Sequence, residues 1–384
     1  MAVDSSLVVR VDENTFKSLP TVDAPASLVI GTGERGSNDS FASIFGIAVS
    51  SDSAIFVLDA MQQRVAKFDS RGNFIRYIGQ PGDGPGEIRS AHEYPGYTTS
   101  GVVITHDTIH ILGKFLYSFD TRGQFLANSP SWIAGAAQWN GLATTDSGIA
   151  VEQEYHKNQG KPDWQQAFSF RLYRPQSGQL TKPFEITFPI HDYGGSIAAP
   201  LLLSAEPVWA ISRAGHLYSV RADSFDIVVQ MLDGTVVRRY IASLPRVPTT
   251  AEDVEQSIKS MEQMTLDVFR HNATPELRRR LKSGKHARYR PAIGEMIIAD
   301  DGAILVQRMD ISKDAYTPHA AGLRTDWELV KPSGQPALHI KLPSGFVPKV
   351  FRECRLYGAG YSGEDEPIVM RFDVNYSGCR ERRN

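Results

Sequence analysis

The chain has 384 residues, with 41 Lys and Arg against 43 Asp and Glu and a formal net charge of −2. That balance sets up no one-signed field of the kind that draws a protein to nucleic acid or to a strongly acidic substrate. No apolar run approaches the roughly 20 residues a helix needs to cross a bilayer, which excludes a helical membrane span.

In chain order, residues 1–16 (MAVDSSLVVRVDENTF) have neither a basic n-region nor an apolar h-region, so they do not read as a signal peptide. The expectation is a cytoplasmic protein or one whose leader has been removed. The run 7–11 can add a strand on the outside of the fold. The run SLVIG (27–31) leads into a Gly-rich segment, much as YIG (77–79) leads into QPGDGPGEI, and both read as a fourth strand followed by an exit loop.

Residues 44–79 read as four short strands, and the pattern then recurs over 101–127, 139–188, 207–242 and 292–342. In each unit an apolar, aromatic-bearing strand is followed by a Gly turn: DSRGNF at Asp69, DTRGQF at Asp120, PQSGQL at Pro175, LDGTVV at Leu232 and PSGQPA at Pro332. Alternation of β-branched and aromatic residues is strand chemistry. The Gly supplies the positive φ of a tight hairpin, and a preceding Asp bonds its own backbone to nucleate the turn. Successive turn glycines lie 51, 55, 56 and 100 residues apart, so the long interval marks an insertion. The segment 347–374 supplies three strands and lacks the turn, which predicts that residues 27–31 provide its fourth and close a ring.

The insertion, 249–285, reads as a helical pair. Thr250 with Asp253 three residues later resembles a capping box, Val254, Ile258, Met261 and Val268 recur at helical spacing, and Pro275 opens a second helix. Either the pair packs on the ring or it forms a lid over one face. The stretch RRRLKSGKHARYR (278–290) holds seven Lys or Arg and no acid; it reads as a solvated helix end or a patch for an acidic partner. Cys354 and Cys379 are either a disulfide pinning the last unit or two separate thiols.

These features carry a resemblance. FVLDAMQQRVAKFDSRGNFIRYIGQPGDGPGEI (56–88) resembles an NHL-type repeat. The GxGPGE exit (82–87), the helical insertion and the W-x-L-x-x-P-x-G of 327–334 are similar to the layout of bacterial six-bladed β-propeller proteins. The resemblance implies an all-β fold, one propeller domain over 1–384 closed by an N-terminal strand, with the helical insertion between blades four and five. It also implies a lean toward an extracytoplasmic home. The fold hosts binding modules, lactonases and lyases alike, so function has to come from the site.

In a propeller the loops joining second to third strands, and those joining one blade to the next, share a face. Here they are the long ones, which makes that face and the channel mouth the expected site for a small molecule or a peptide. Ligand-binding candidates at the ends of second strands are Glu152, Arg221 and Asp310, with Asp192 and His319 from the loops; the alternative for the arginines is inter-blade ion pairing. Asp59 reads as a turn cap. His156, His191, Glu154 and Arg308 are the catalytic candidates if the protein is instead a hydrolase or lyase. A lactonase-like version would take a divalent metal such as calcium, with Glu154, Asn140 and Asp310 as candidate ligands. His106 and His110 lack the following Glu of a helical zinc-protease motif, and no G-x-S-x-G occurs.

Overall fold

The computed structural model describes residues 7–379 apart from 24, 34–36, 89–100, 114, 130–139, 159–162, 190, 193–197, 200–206, 222–223, 270–274, 284–285 and 310–324. Its strands form six main sheets whose members follow one another along the chain. Blade one is Ile44–Val49, Ile55–Asp59, Arg64–Phe68 and Phe74–Ile78, all antiparallel. Blade two is Gly101–Thr105, Thr108–Leu112, Leu116–Asp120 and Phe125–Ser129. Blade three is Asn140–Thr145, Gly148–Lys157 and Gln165–Arg174, with an outer edge split into Gln179–Leu180 and Phe184–Pro189. Blade four is Pro207–Ile211, His216–Arg221, Phe225–Met231 and Val236–Ala242. Blade five is Ile293–Ile298, Ile304–Arg308, Asp326–Val330 and Pro336–Lys341. The last sheet takes Val347–Arg352, Arg355–Tyr361 and Pro367–Asp373 from the C-terminal part and Leu28–Ile30 from the N-terminal part. First strands lie against one another between blades one and two, two and three, four and five, and five and six, and again between the last blade and the first. The fold is a six-bladed β-propeller.

The repeated turn builds the blades for a local reason. Asp69 Oδ1 accepts from the amides of Arg71 (2.8 Å) and Asn73 (2.9 Å), and Gly72 takes φ +85°. Asp120 repeats this with Arg122 (2.9 Å) and Gln124 (2.8 Å). Gly72 has a second role: a Cβ there would stand 2.8 Å from Leu28 Cδ1, on the outer strand of the preceding blade. At Gly334 the same contact is tighter, 2.3 Å to Val9 Cγ1. The turn is bare so that the neighbouring strand can approach it.

Apolar side chains fill each blade interface as a separate cluster. Phe56 and Leu58 meet Ile109 and Phe119 between blades one and two. Phe170 and Leu172 meet Leu217 between blades three and four, and Trp327 and Leu329 meet Phe346 and Phe372 between blades five and six. Full burial of side chains of this size is the main favourable term in such a fold. His110 lies inside blade two, between Thr105 Oγ1 (2.8 Å) and Ser118 Oγ (2.9 Å), and burial pushes its pKa down to about 4.

The N-terminal segment runs outside the ring before closing it. Val8–Arg10 pairs in parallel with the outer strand of blade four, and Thr21–Val22 does so with that of blade five. Between them the short helix α1 (Glu13–Phe16), capped by Asp12, sets Phe16 against Phe225 (5.7 Å between centroids). These additions occupy sheet edges that would otherwise present unpaired backbone groups.

Helices α2 (Ala251–Phe269) and α3 (Pro275–Ser283) fall between blades four and five. Thr250 and Asp253 form a reciprocal cap: the Thr250 amide donates to Asp253 Oδ2 (2.8 Å), and the Asp253 amide donates to Thr250 Oγ1 (3.2 Å). Arg290 pairs with the buried Asp253 (2.7 Å), while Arg278 and Lys282 reach Glu255 on α2. Three of the seven cations of the basic stretch are therefore paired within the insertion. No helix among the described residues is long and apolar enough to cross a membrane.

Cys354 and Cys379 form a disulfide that ties the first turn of blade six to the C-terminal tail. Closing a loop of this length restricts the unfolded chain by about 3 kcal/mol. The double variant C354S/C379S should lose roughly that much stability in reversible thermal unfolding, and an unchanged melting temperature would show that the crosslink does not form.

Candidate functional site

The Gly turns and the short turns between first and second strands share one face. The opposite face carries the long loops. Blade three is the blade that most departs from the repeat there: its second and third strands each run 10 residues, against five for those of blades one and two. The hairpin therefore extends beyond the ring on the loop-rich side.

Strand alternation places Glu152, Glu154 and His156 on one face of this hairpin. Glu152 sits opposite Phe170, Glu154 opposite Phe168 and His156 opposite Gln166, with no register shift. The face looks at blade four. Trp209, on the innermost strand of blade four, stacks on Phe168 (4.1 Å between centroids) and lies edge-on to Phe170 (5.8 Å). Its indole N–H donates to the Glu152 carboxylate. Gln166 donates to Glu154 Oε1. Trp164 continues the row and meets the His156 ring edge-on at 5.7 Å.

The electrostatics follow from this packing. Burial pushes Glu152 up to about 7, and the neighbouring Glu154 charge adds to the rise while the Trp209 bond opposes it. Glu154 is also raised, chiefly by burial, against the pull of Gln166 and His156. Among the described residues, neither carboxylate forms an ion pair with Lys or Arg. Of the other buried carboxylates, Glu328 has Arg308 and Asp253 has Arg290, while Asp59 accepts from backbone amides instead.

The remaining candidates lie elsewhere. Arg308 is on blade five, 3% exposed, paired with Glu328 of the adjacent strand and set over the Phe16 ring (5.0 Å). Arg221 is exposed at the end of the second strand of blade four. Asp59 accepts from the amides of Ala42 (2.9 Å), Ser43 (3.2 Å) and Gln62 (3.3 Å), a cap for the turn and the incoming loop. His191 and Asp192 form a short strand paired with Ala198–Ala199, in the loop from blade three to blade four; their side chains lie outside the described residues. So do Asp310 and His319, and the side chain of Asn140. Among the described residues no three His, Cys, Asp or Glu side chains come together as a metal site. Trp209, Trp164 and Gln166 are additions to the sequence-based set. The even-numbered alternation of residues 164–170 was the available signal for the last two, whereas Trp209 needs the blade neighbours to be known.

Two outcomes check this geometry. Glu152 has a folded-state pKa above its unfolded value, so the native state holds a proton that the unfolded chain releases. Its contribution to stability is full below about 4.5 and is lost as pH rises toward about 7. Thermal melts across that range should show E152Q with a weaker alkaline decline than wild type, and parallel curves would refute the shift. R308M, which removes the cation beside buried Glu328, should cost about 3–5 kcal/mol in denaturant unfolding, and a loss below about 1 kcal/mol would mean that the pair does not anchor blade five.

Comparison with known proteins bears on the fold. A family model described as DUF5128, 6-bladed beta-propeller, matches residues 40–96. No curated protein matches the sequence. Among solved structures the chain is similar to a member of the DUF4221 family from Bacteroides vulgatus, with a TM-score of 0.54 and 10% identity over 93% of this chain and 98% of the other. A gluconolactonase from Xanthomonas campestris gives a TM-score of 0.41 and 13% identity, covering 91% and 98%. A calcium-binding regucalcin from Agrobacterium tumefaciens gives 0.40 and 10%, covering 95% and 99%. At these identities the likeness is one of fold alone.

Proposed function

We propose that the protein is a ligand-binding propeller whose site is the crevice between blades three and four on the loop-rich face. The observation that carries this reading is the pair Glu152 and Glu154. Two half-buried carboxyls share one strand face beside an aromatic wall and, among the described residues, lack the Lys or Arg partner that buried Glu328 and Asp253 possess. A fold stabilised for its own sake gains nothing from such a pair, because burying charge without a partner is costly. A ligand that supplies the missing partners recovers that cost.

One observation favours a second reading, a hydrolase or lyase. A carboxyl pushed up to about 7 next to a second carboxyl is the arrangement of an acid and a base held at different protonation states. Under that reading Glu152 is the general acid and Glu154 the base, with His156 at the rim. The disulfide supports an extracytoplasmic home, since such bonds persist in oxidising compartments.

A thermal-shift screen of small molecules and metal ions tests the binding reading. A ligand specific to the native state at 100 times its Kd adds about 2.7 kcal/mol. Hits that belong to this site should shift wild type and leave E152Q/E154Q unmoved; hits that shift both equally would place the binding elsewhere. Turnover of any hit with a pH limb near 7 that disappears in E152Q would favour the enzyme.

A further inference from the structure

The groups on the blade-three face differ in what they offer. From Glu152 to His156 the strand rises about 13 Å, at roughly 3.3 Å per residue. Along it stand carboxylate acceptors, the Gln166 amide and, at the outer end, the Trp164 indole. Trp164 is 8% exposed, and among the described residues its Nε1 has no hydrogen-bond partner. An indole N–H can only donate, and buried donors without an acceptor are rare in native structures. Among the described residues the row thus holds carboxylates without a Lys or Arg partner at one end and a donor without an acceptor at the other.

This rests on the crevice being the binding site, and it narrows what the crevice takes. An organic ammonium ion would satisfy Glu152 and Glu154 but would leave the Trp164 N–H unmet, because an ammonium has no acceptor. A carboxylate or phosphate would satisfy Trp164 and be repelled by Glu154. A hydroxyl both donates and accepts, so one functional group repeated along a ligand answers every member of the row. The aromatic surfaces of Trp209 and Trp164 favour a ligand with an apolar ring face as well. We propose that the crevice binds a carbohydrate, whose hydroxyls donate to Glu152 and Glu154 at the inner end and accept from the Trp164 indole at the outer end. The raised pKa of Glu152, about 7, adds to this, since near neutral pH its carboxyl can present a proton as well as lone pairs.

Isothermal titration of the full chain with maltose, cellobiose and N-acetylglucosamine tests the proposal, with tetramethylammonium chloride and citrate as the ammonium and anion probes. At least one carbohydrate should bind wild type. E154Q should weaken it about 10- to 100-fold, the range for a hydrogen bond to a charged group, and W164F about 2- to 12-fold, the range for a neutral one. Circular dichroism melts confirm that each variant is folded; if W164F does not fold, E154Q carries the test. Binding of tetramethylammonium alone, lost in E154Q, would overturn the carbohydrate and keep the site. Carbohydrate binding untouched in both variants would overturn the site. No heat with any of the three sugars would overturn the carbohydrate proposal, with the screen of wild type against E152Q/E154Q still deciding the site.

Discussion

The blades touch one another through side chains, and the circle is closed by a hydrogen-bonded strand at one place. Leu28–Ile30 completes the sheet begun by the last three strands of the chain. That pairing joins residues from opposite ends of the sequence and turns a row of sheets into a ring. The apolar interfaces between blades, the stacked first strands and the common orientation of the loops all presuppose it. The segment before it reinforces the joint by crossing the outer edges of blades four and five, and α1 anchors the crossing through Phe16 on Phe225. Closure therefore draws on blades four, five and six together.

The site depends on a departure from this regularity. Five-residue strands end at the level of the ring, so their polar ends serve as caps, as Asp59 does. Blade three continues its hairpin past that level, and the face it exposes toward blade four can no longer be filled by a matching apolar face. Trp209 covers the inner part of it. The outer part carries Glu154, His156 and Gln166, and burial there raises Glu154 against the pull of the other two. A longer strand in one blade thus sets polar side chains beside aromatic ones on the face toward blade four.

The fold was legible because its signals are local. Asp-x-x-Gly turns write their own hydrogen bonds, and Gly31 and Gly79 both leave a fourth strand with positive φ (+106° and +74°), which is why the two exits look alike in sequence. The site was legible only in part. In sequence Glu152 and Glu154 read as polar residues at a strand end and His156 as a loop residue, but the strand runs on to Lys157 and the three form a row along it. Arg308 could be a ligand group or an ion-pair partner in sequence; its partner Glu328 lies across the sheet, opposite Val306, and only the register reveals it. Trp209 belongs to the next blade, so no spacing within blade three could announce it.

The bare turns have a further consequence. Gly72 leans on Leu28, Gly123 on Ile78, Gly234 on Phe184 and Gly334 on Val9, and in each case the turn of one blade rests on the outermost strand beside the preceding blade. These four contacts run in the same sense around the circle, while at the fifth turn glycine, Gly178, a Cβ would meet nothing within 4 Å. A blade copied in tandem would bring its turn to meet the unit before it and its outer strand to receive the unit after it, so the ring has a grammar of succession rather than a set of unique joints. In that grammar the seam at Leu28 is an ordinary word, and the chain could begin at another blade without rewriting the interfaces.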